Sequence, residues 1–306
     1  VHPIPSAAAL RIYERGYEYL LYFQPNAAEF IGQTPIDMIQ NLVPEDELPT
    51  TAALVWADDF FANAITAGLL GEEVTIPGTD TVIDLSPGYL VDTGFEVVYT
   101  EQWPEQGFSD WLTLANSIKA ADAEFLLALV TSPDEAIQLV RALQTVNYQP
   151  KGVFMSQGAQ SEFAEELGEA ANGIMIHASW HESANFSGVL NGEEFTNADF
   201  QEAFAAAFDR PADEDEAIPF AVCQGMEQAI RATGSTDNTV LQEWLVARTA
   251  EEPVKTVLGD FYWDERGLPV NKPFIMVQWQ DENLEFVYPQ DAFPGVVDLV
   301  WPKAEW

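Results

Sequence analysis

Cysteine is almost missing from this chain: Cys223 is the only one among 306 residues. No intrachain disulfide can form, and neither a CxxC redox motif nor a Cys/His zinc site is available. A secreted protein remains compatible with that if its cores are large. Basic residues are scarce as well, with 12 Lys+Arg against 50 Asp+Glu and a formal net charge of −38. So acidic a surface repels phosphates, which excludes nucleic acid as a partner and disfavours anionic membranes. No apolar run approaches the ~18 residues of a membrane-spanning helix. No signal peptide is visible ahead of Val1-His2-Pro3. The nucleophile elbow GxSxG, the P-loop and GxGxxG are absent, as is the Asp/Asn-Gly-Glu spacing of a calcium loop. These absences argue against an enzyme and against a resident cofactor or metal.

What is present is an ordinary globular composition, 47% hydrophobic and 20% charged, which excludes wholesale disorder. The length suits about two domains with their own cores. The acidic residues are spread along the chain. They suit a solvated surface in a salty or extracellular setting, the alternative being recognition of a cation, either a metal or a basic partner. The densest run, Asp213-Glu214-Asp215-Glu216, follows Pro211 and reads as a loop.

From residue 50 onward, short apolar runs alternate with helical patterns. Residues 51–56 (TAALVW), 95–99 (FEVVY), 124–130 (EFLLALV), 152–156 (GVFMS) and 173–178 (GIMIHA) read as strands, several of them apolar enough to be covered on both faces. Helices are expected over 60–70, 108–121, after Ser132, and over 161–167. The Ser132 start is the strongest: Ser as N-cap, Pro133 at the first helical position and Glu135 three residues on. Strand–helix alternation implies parallel strands with right-handed crossovers, so 50–180 reads as one doubly wound α/β lobe. The flanks hold a strand over 17–23 and a helical run over 27–43 that Pro35 should interrupt. Further helices are expected over 196–208, 217–233 and 238–249, then a β meander over 258–288. Residues 71–94 read as a long loop.

Ligands in open α/β sheets bind beyond the carboxyl ends of the strands. That rule selects 57–61, Thr131-Ser132, Gln157-Gly158 and Ser179-Trp180. These segments carry hydroxyls, an amide, aromatics and helix starts whose N–H groups are expected to face a ligand. They hold no nucleophile–base pair. His177 and His181 are four apart, but the first lies in an expected strand, the second in a loop, and no third metal ligand is evident. Cys223 lies in an apolar helical stretch and reads as inert, and Asp58-Asp59 reads as a helix cap.

Taken in order, several segments resemble the type I periplasmic solute-binding proteins of ABC transporters, in the branched-chain amino acid-binding, leucine-binding-like class. They are Arg15-Gly16-Tyr17-Glu18-Tyr19, the run from Ala53 to Phe61 (ALVWADDFF), Phe108-Ser109-Asp110 with Ile118-Lys119-Ala120-Ala121, Thr256-Val257-Leu258-Gly259 with Trp263-Asp264-Glu265-Arg266-Gly267, and Val277-Gln278-Trp279-Gln280. The resemblance implies two α/β lobes joined by three crossovers and closing on a ligand. Lobe 1 would be 1–49 with 181–272, lobe 2 would be 50–180, and 273–306 a hairpin and tail near the hinge. It also implies ligand contacts at Ser6, Ala7 and Ala8 in lobe 1 and at Phe61, Thr131 and Gln157 in lobe 2, with Phe220 as a further wall. Gln157 stands where an acidic residue can hold a ligand's ammonium in that family. The family's opening βα units, which precede the Ser6 loop, have no counterpart here, so lobe 1 is expected to be incomplete. The implied function is extracytoplasmic binding of a small polar or zwitterionic solute for an ABC permease, without catalysis, in the periplasm or outside the cell, with a lipid anchor on the missing part as an option. The alternatives are a surface-assembly protein on the same fold, self-assembling or completed by a partner chain, and an extracellular sensor domain.

Overall fold

The computed structural model describes residues 1–290, 293 and 295–306. In chain order the elements begin with β1 (His2–Ile4), α1 (Leu10–Tyr13), β2 (Leu20–Tyr22), α2 (Gln33–Leu42), β3 (Thr51–Asp58) and α3 (Phe60–Leu70). A small hairpin follows, β4 (Glu73–Thr75) and β5 (Val82–Asp84), then α4 (Tyr89–Asp92), β6 (Glu96–Pro104), α5 (Trp111–Ala121), β7 (Phe125–Leu129), α6 (Pro133–Thr145), β8 (Gly152–Met155), α7 (Ser161–Leu167) and β9 (Ile174–Ala178). The remainder is β10 (Ser187–Leu190), β11 (Glu193–Thr196), α8 (Asn197–Phe208), α9 (Glu214–Thr233), α10 (Asn238–Val246), β12 (Val254–Thr256), β13 (Gly259–Phe261), β14 (Ile275–Gln280) and β15 (Asn283–Tyr288). No helix among the described residues is long and apolar enough to cross a membrane.

The apolar runs of the middle third become the centre of a seven-stranded sheet ordered β15-β14-β9-β8-β7-β3-β6. Strands β6, β3, β7, β8 and β9 are parallel, and the β14–β15 hairpin adds two antiparallel strands beyond β9. Every residue of β7 is buried, as its unbroken apolar sequence requires of a strand covered on both faces. Each fully buried Leu or Phe there contributes about 1.5–3 kcal/mol. The helix starts are those the sequence signals. Ser132 accepts from the Glu135 N–H at the head of α6, and Asp59 caps α3. The expected long loop at 71–94 instead holds the β4–β5 hairpin and α4.

A second body of core gathers Leu21, Phe23, Leu245, Phe261 and Trp263 among others. Phe23 packs on Phe261 and Trp263 with ring centroids 5.3 and 5.0 Å apart, and the Trp263 indole donates to the Tyr22 carbonyl at 2.7 Å. Around it lie the two-stranded sheets β1–β2 (parallel), β10–β11 and β12–β13 and the helices α8 to α10.

One boundary differs from the sequence expectation. Residues 1–49 do not all join the second body: Ile36, Met38 and Ile39 of α2 pack into the core of the large sheet. An apolar stripe fixes that a helix must be covered, and both bodies offered cover. Within 273–306, expected as a hairpin and tail near the hinge, the hairpin is β14–β15. Trp301 and Lys303 pack on Gly152 and Gly173, at the amino-terminal ends of β8 and β9, and the Lys303 N–H donates to the Lys151 carbonyl at 2.7 Å.

Candidate functional site

A cleft of about 670 Å³ opens between the two bodies. From the large sheet it is lined by residues that directly follow strands: Asp59, Phe60 and Phe61 after β3, Glu105 after β6, Thr131 after β7, and 156–160 after β8. The carboxyl ends of parallel strands diverge around their helix starts, which leaves the concavity that ligands use in such sheets. The facing wall is the loop at Ser6–Ala9, Tyr22 and Gln24 at the end of β2, and the first turn of α9 with Glu214, Asp215 and Ile218.

Six of the residues expected from the sequence meet here: Ser6, Ala7, Ala8, Phe61, Thr131 and Gln157. Phe220 does not. It turns into the second core against Phe200 and Phe195, at 4.8 and 5.6 Å between ring centroids, because the face of α9 that meets the cleft is set by Glu214 and Ile218. The acidic run expected as a loop is the head of α9. Asp213 and Glu216 form a reciprocal capping box, which places Glu214 at the first helical position and on the cleft wall.

The loop at residues 6–9 is held by design of its neighbours. Ala7 has φ +90°, a conformation costly for a residue with a Cβ. Its carbonyl accepts from the Tyr13 hydroxyl at 3.0 Å, and the Gln24 amide donates to the Pro5 carbonyl. Beneath it the buried Glu29 carboxylate accepts the Leu10 N–H at 2.9 and 3.1 Å, with burial raising its pKa. At the rim, the Arg11 guanidinium from α1 lies 4.4 Å over the Phe60 ring from α3.

At α3 and α6 the donors expected to be free are taken, whereas the start of α7 at Gln160 carries no side-chain cap. Asp59 accepts from the N–H groups of Phe61 and Ala62 at 2.7 and 3.2 Å. Thr131 donates both its N–H and its hydroxyl to Glu135, at 2.8 and 2.9 Å. Acceptors are plentiful. Glu214 takes one N–H, from Ser179 at 2.8 Å, and burial pushes its carboxyl up to about 7, with Asp215 and Asp213 acting the same way. His177 sits among Phe274, Phe154 and Phe61 at 5.2, 6.1 and 6.4 Å. Burial holds its imidazole down to about 4, so it is neutral at pH 7. Its Nδ1 and the Gln160 Oε1 are buried without a hydrogen-bond partner. No Lys or Arg lines the cleft, and no cluster of three metal-ligating side chains occurs among the described residues.

Known proteins with the same features bear on this geometry. A Leu/Ile/Val-binding protein homolog from Brucella abortus is 31% identical over 120 residues, 39% of this chain and 29% of the relative. The Brucella suis homolog is 39% identical over 61 residues, 16% of its length. The matches therefore span less than a third of these relatives. Among solved structures, the branched-chain amino acid transporter substrate-binding protein LivJ of Streptococcus pneumoniae, crystallised with isoleucine, superposes with a TM-score of 0.70 at 14% identity, over 98% of this chain and 72% of that one. The leucine-binding protein LivK of Thermotoga maritima gives 0.64 at 14% identity, over 93% and 71%. These likenesses establish the type I fold. Residues 66–283, well over half of the sequence, match the family model described as periplasmic binding protein, and the chain belongs to that family.

Proposed function

We propose that this protein is a non-catalytic receptor that closes its cleft on a small amino-bearing solute, an amino acid or a related molecule, outside the cytoplasm and delivers it to an ABC permease. The names of its relatives support the class of solute, and the family supports the compartment. The observation that carries the reading is the convergence of four strand ends of one sheet on a strained small-residue loop of the facing body, with polar groups lining the open cleft between them. The volume of the cleft suits a molecule of amino-acid size. We assign 50–178 with the β14–β15 hairpin and α2 to one lobe, and most of 1–27 with 181–272 to the other, with the crossings near 24, 179 and 273 as the hinge.

Gln157 gives the cleanest test, because it lines the cleft and its side chain makes no hydrogen bond among the described residues. Calorimetric titration with a panel of amino acids and amines should find one-to-one binding. Gln157→Ala should weaken the best binder by about 1–3 kcal/mol and leave the melting temperature of the unliganded protein unchanged. Thr131→Ala is expected to lower that melting temperature as well, since Thr131 ties down Glu135. Saturable binding that ignores Gln157→Ala would move the site elsewhere.

A further inference from the structure

We infer that the solute is a cation with more than one hydrogen-bond-donating nitrogen, such as a basic amino acid or a diamine, in preference to the uncharged branched-chain side chains in the names of its relatives. The inference rests on the binding reading above and concerns the charge the same cleft selects.

The first ground is a balance of donors and acceptors. Glu214, Asp215, Asp59 and Glu105 all line the cleft, and no Lys or Arg does. None of the four takes part in an ion pair among the described residues. Asp59 is spent on capping α3, whereas Glu214 receives a single N–H and keeps most of its acceptor capacity. The N–H groups near the starts of α3 and α6 that could hold a ligand's carboxylate are engaged by Asp59 and Glu135, which leaves the residue 6–9 loop and the uncapped start of α7 to meet any anionic end.

The second ground is independent of the carboxylates. The Gln160 Oε1 and the His177 Nδ1 are buried polar atoms with no partner among the described residues, and both residues line this cleft. Buried polar atoms are almost always paired in finished structures, so these two, which unlike most of the other unpartnered atoms belong to cleft-lining residues, are open to a ligand group. On the other wall, the Nε of Arg11, whose guanidinium lies over Phe60, is an unpartnered donor. Oε1 can only accept, while the Nδ1 of the neutral imidazole accepts in one tautomer and donates in the other. His177 adds no positive charge to oppose a cation, being held neutral by burial. A cation would also find aromatic faces in Phe61, Phe274 and Tyr22. Beside an uncharged ligand side chain the buried Glu214 keeps its proton, whereas a cation favours the ionised carboxylate and gains an ion pair with it.

The test is calorimetric titration of the full chain with L-lysine, 1,5-diaminopentane, L-leucine and L-glutamate, at about 0.15 M and about 0.5 M NaCl so that the general attraction of an acidic protein is screened. L-lysine or the diamine should bind one-to-one at least about tenfold more tightly than L-leucine at both salt concentrations, and L-glutamate should not bind. Glu214→Gln should reduce that preference several-fold, by a larger loss of affinity for L-lysine than for L-leucine. Asp215→Asn, a milder change, should reduce it in the same direction. Glu252→Gln, an exposed carboxylate on another face, should leave it intact. Equal or tighter binding of L-leucine overturns the inference and keeps the binding reading. A preference for cations that survives both Glu214→Gln and Asp215→Asn overturns its assignment to these groups. Failure of all four probes to bind ends the binding reading itself.

Discussion

Glu214 shows how one residue serves two demands. The first turn of α9 favours an anion through the helix dipole, yet burial among Tyr22, Asp213 and Asp215 raises the carboxyl to about 7 from 4.5. The folded protein therefore holds this proton more tightly than the unfolded chain does. The stability that follows is complete below about 4.5 and is lost as pH rises through about 7. Glu214→Gln keeps the acceptor for the Ser179 N–H and removes the ionisation. Scanning calorimetry should show the variant gaining melting temperature over the wild type at about pH 8 and little at about pH 5. An offset that is the same at both values would mean that ionisation of Glu214 carries no such cost. The sequence held a signal for this residue: Asp213 followed by Glu216 is a capping-box spacing, which outranks the loop reading drawn from Pro211. Phe220 had no such signal, because an apolar residue on a helix announces burial without saying against what.

At the scale of elements, Gly68 fixes how α3 meets the 3₁₀ turn at Ala28–Phe30. A Cβ there would stand 1.7 Å from the Glu29 carbonyl oxygen. Alanine would add about 1 kcal/mol of helix propensity, but an overlap of that depth with backbone forces the elements apart at about 1–3 kcal/mol or more. Gly68→Ala should therefore destabilise on balance, read as a lower urea midpoint. It should also weaken ligand binding, since Glu29 anchors the start of α1 beside the cleft. A neutral or stabilising effect would show that this contact relaxes freely. Elements with a strong local pattern were legible. The strands expected near Leu54, Val97, Leu127, Phe154 and Met175 are β3, β6, β7, β8 and β9 of one sheet. The hairpins β4–β5 and β10–β11 were not, being three or four residues long and largely exposed or half-exposed, with no apolar alternation to reveal them.

For the whole molecule, a formal charge of −38 works against compactness. The ion pairs of the described residues engage Arg141, Lys151, Arg210, Arg231, Arg248 and Arg266, which leaves most carboxylates facing one another through water. Screening relieves that repulsion over about 10 Å at 0.1 M salt. Melting temperature should rise between about 0.05 and about 0.5 M NaCl, by about 2–4 °C for each kcal/mol gained. A flat or falling profile would mean that the acids are spaced too widely to matter. The fold class was legible at this scale because alternation of strands and helices constrains topology strongly. The partner of α2 was not, since a stripe of Ile36 and Ile39 suits either core. Nor was the surplus of acceptors in the cleft, which depends on which donors the chain has already used.

The stacking of Arg11 on Phe60 joins the two walls at the mouth of the cleft. A contact of this kind contributes about 0.5–1 kcal/mol at an exposed site, so it biases the apo protein toward the shut state by about two- to fivefold. Solute enters when the mouth is open, and only the fraction of molecules caught ajar can admit it. The same latch then slows escape. On the proposed receptor reading, Arg11 and Phe60 would set a dwell time, with speed of capture traded for the interval in which a permease can find the protein loaded.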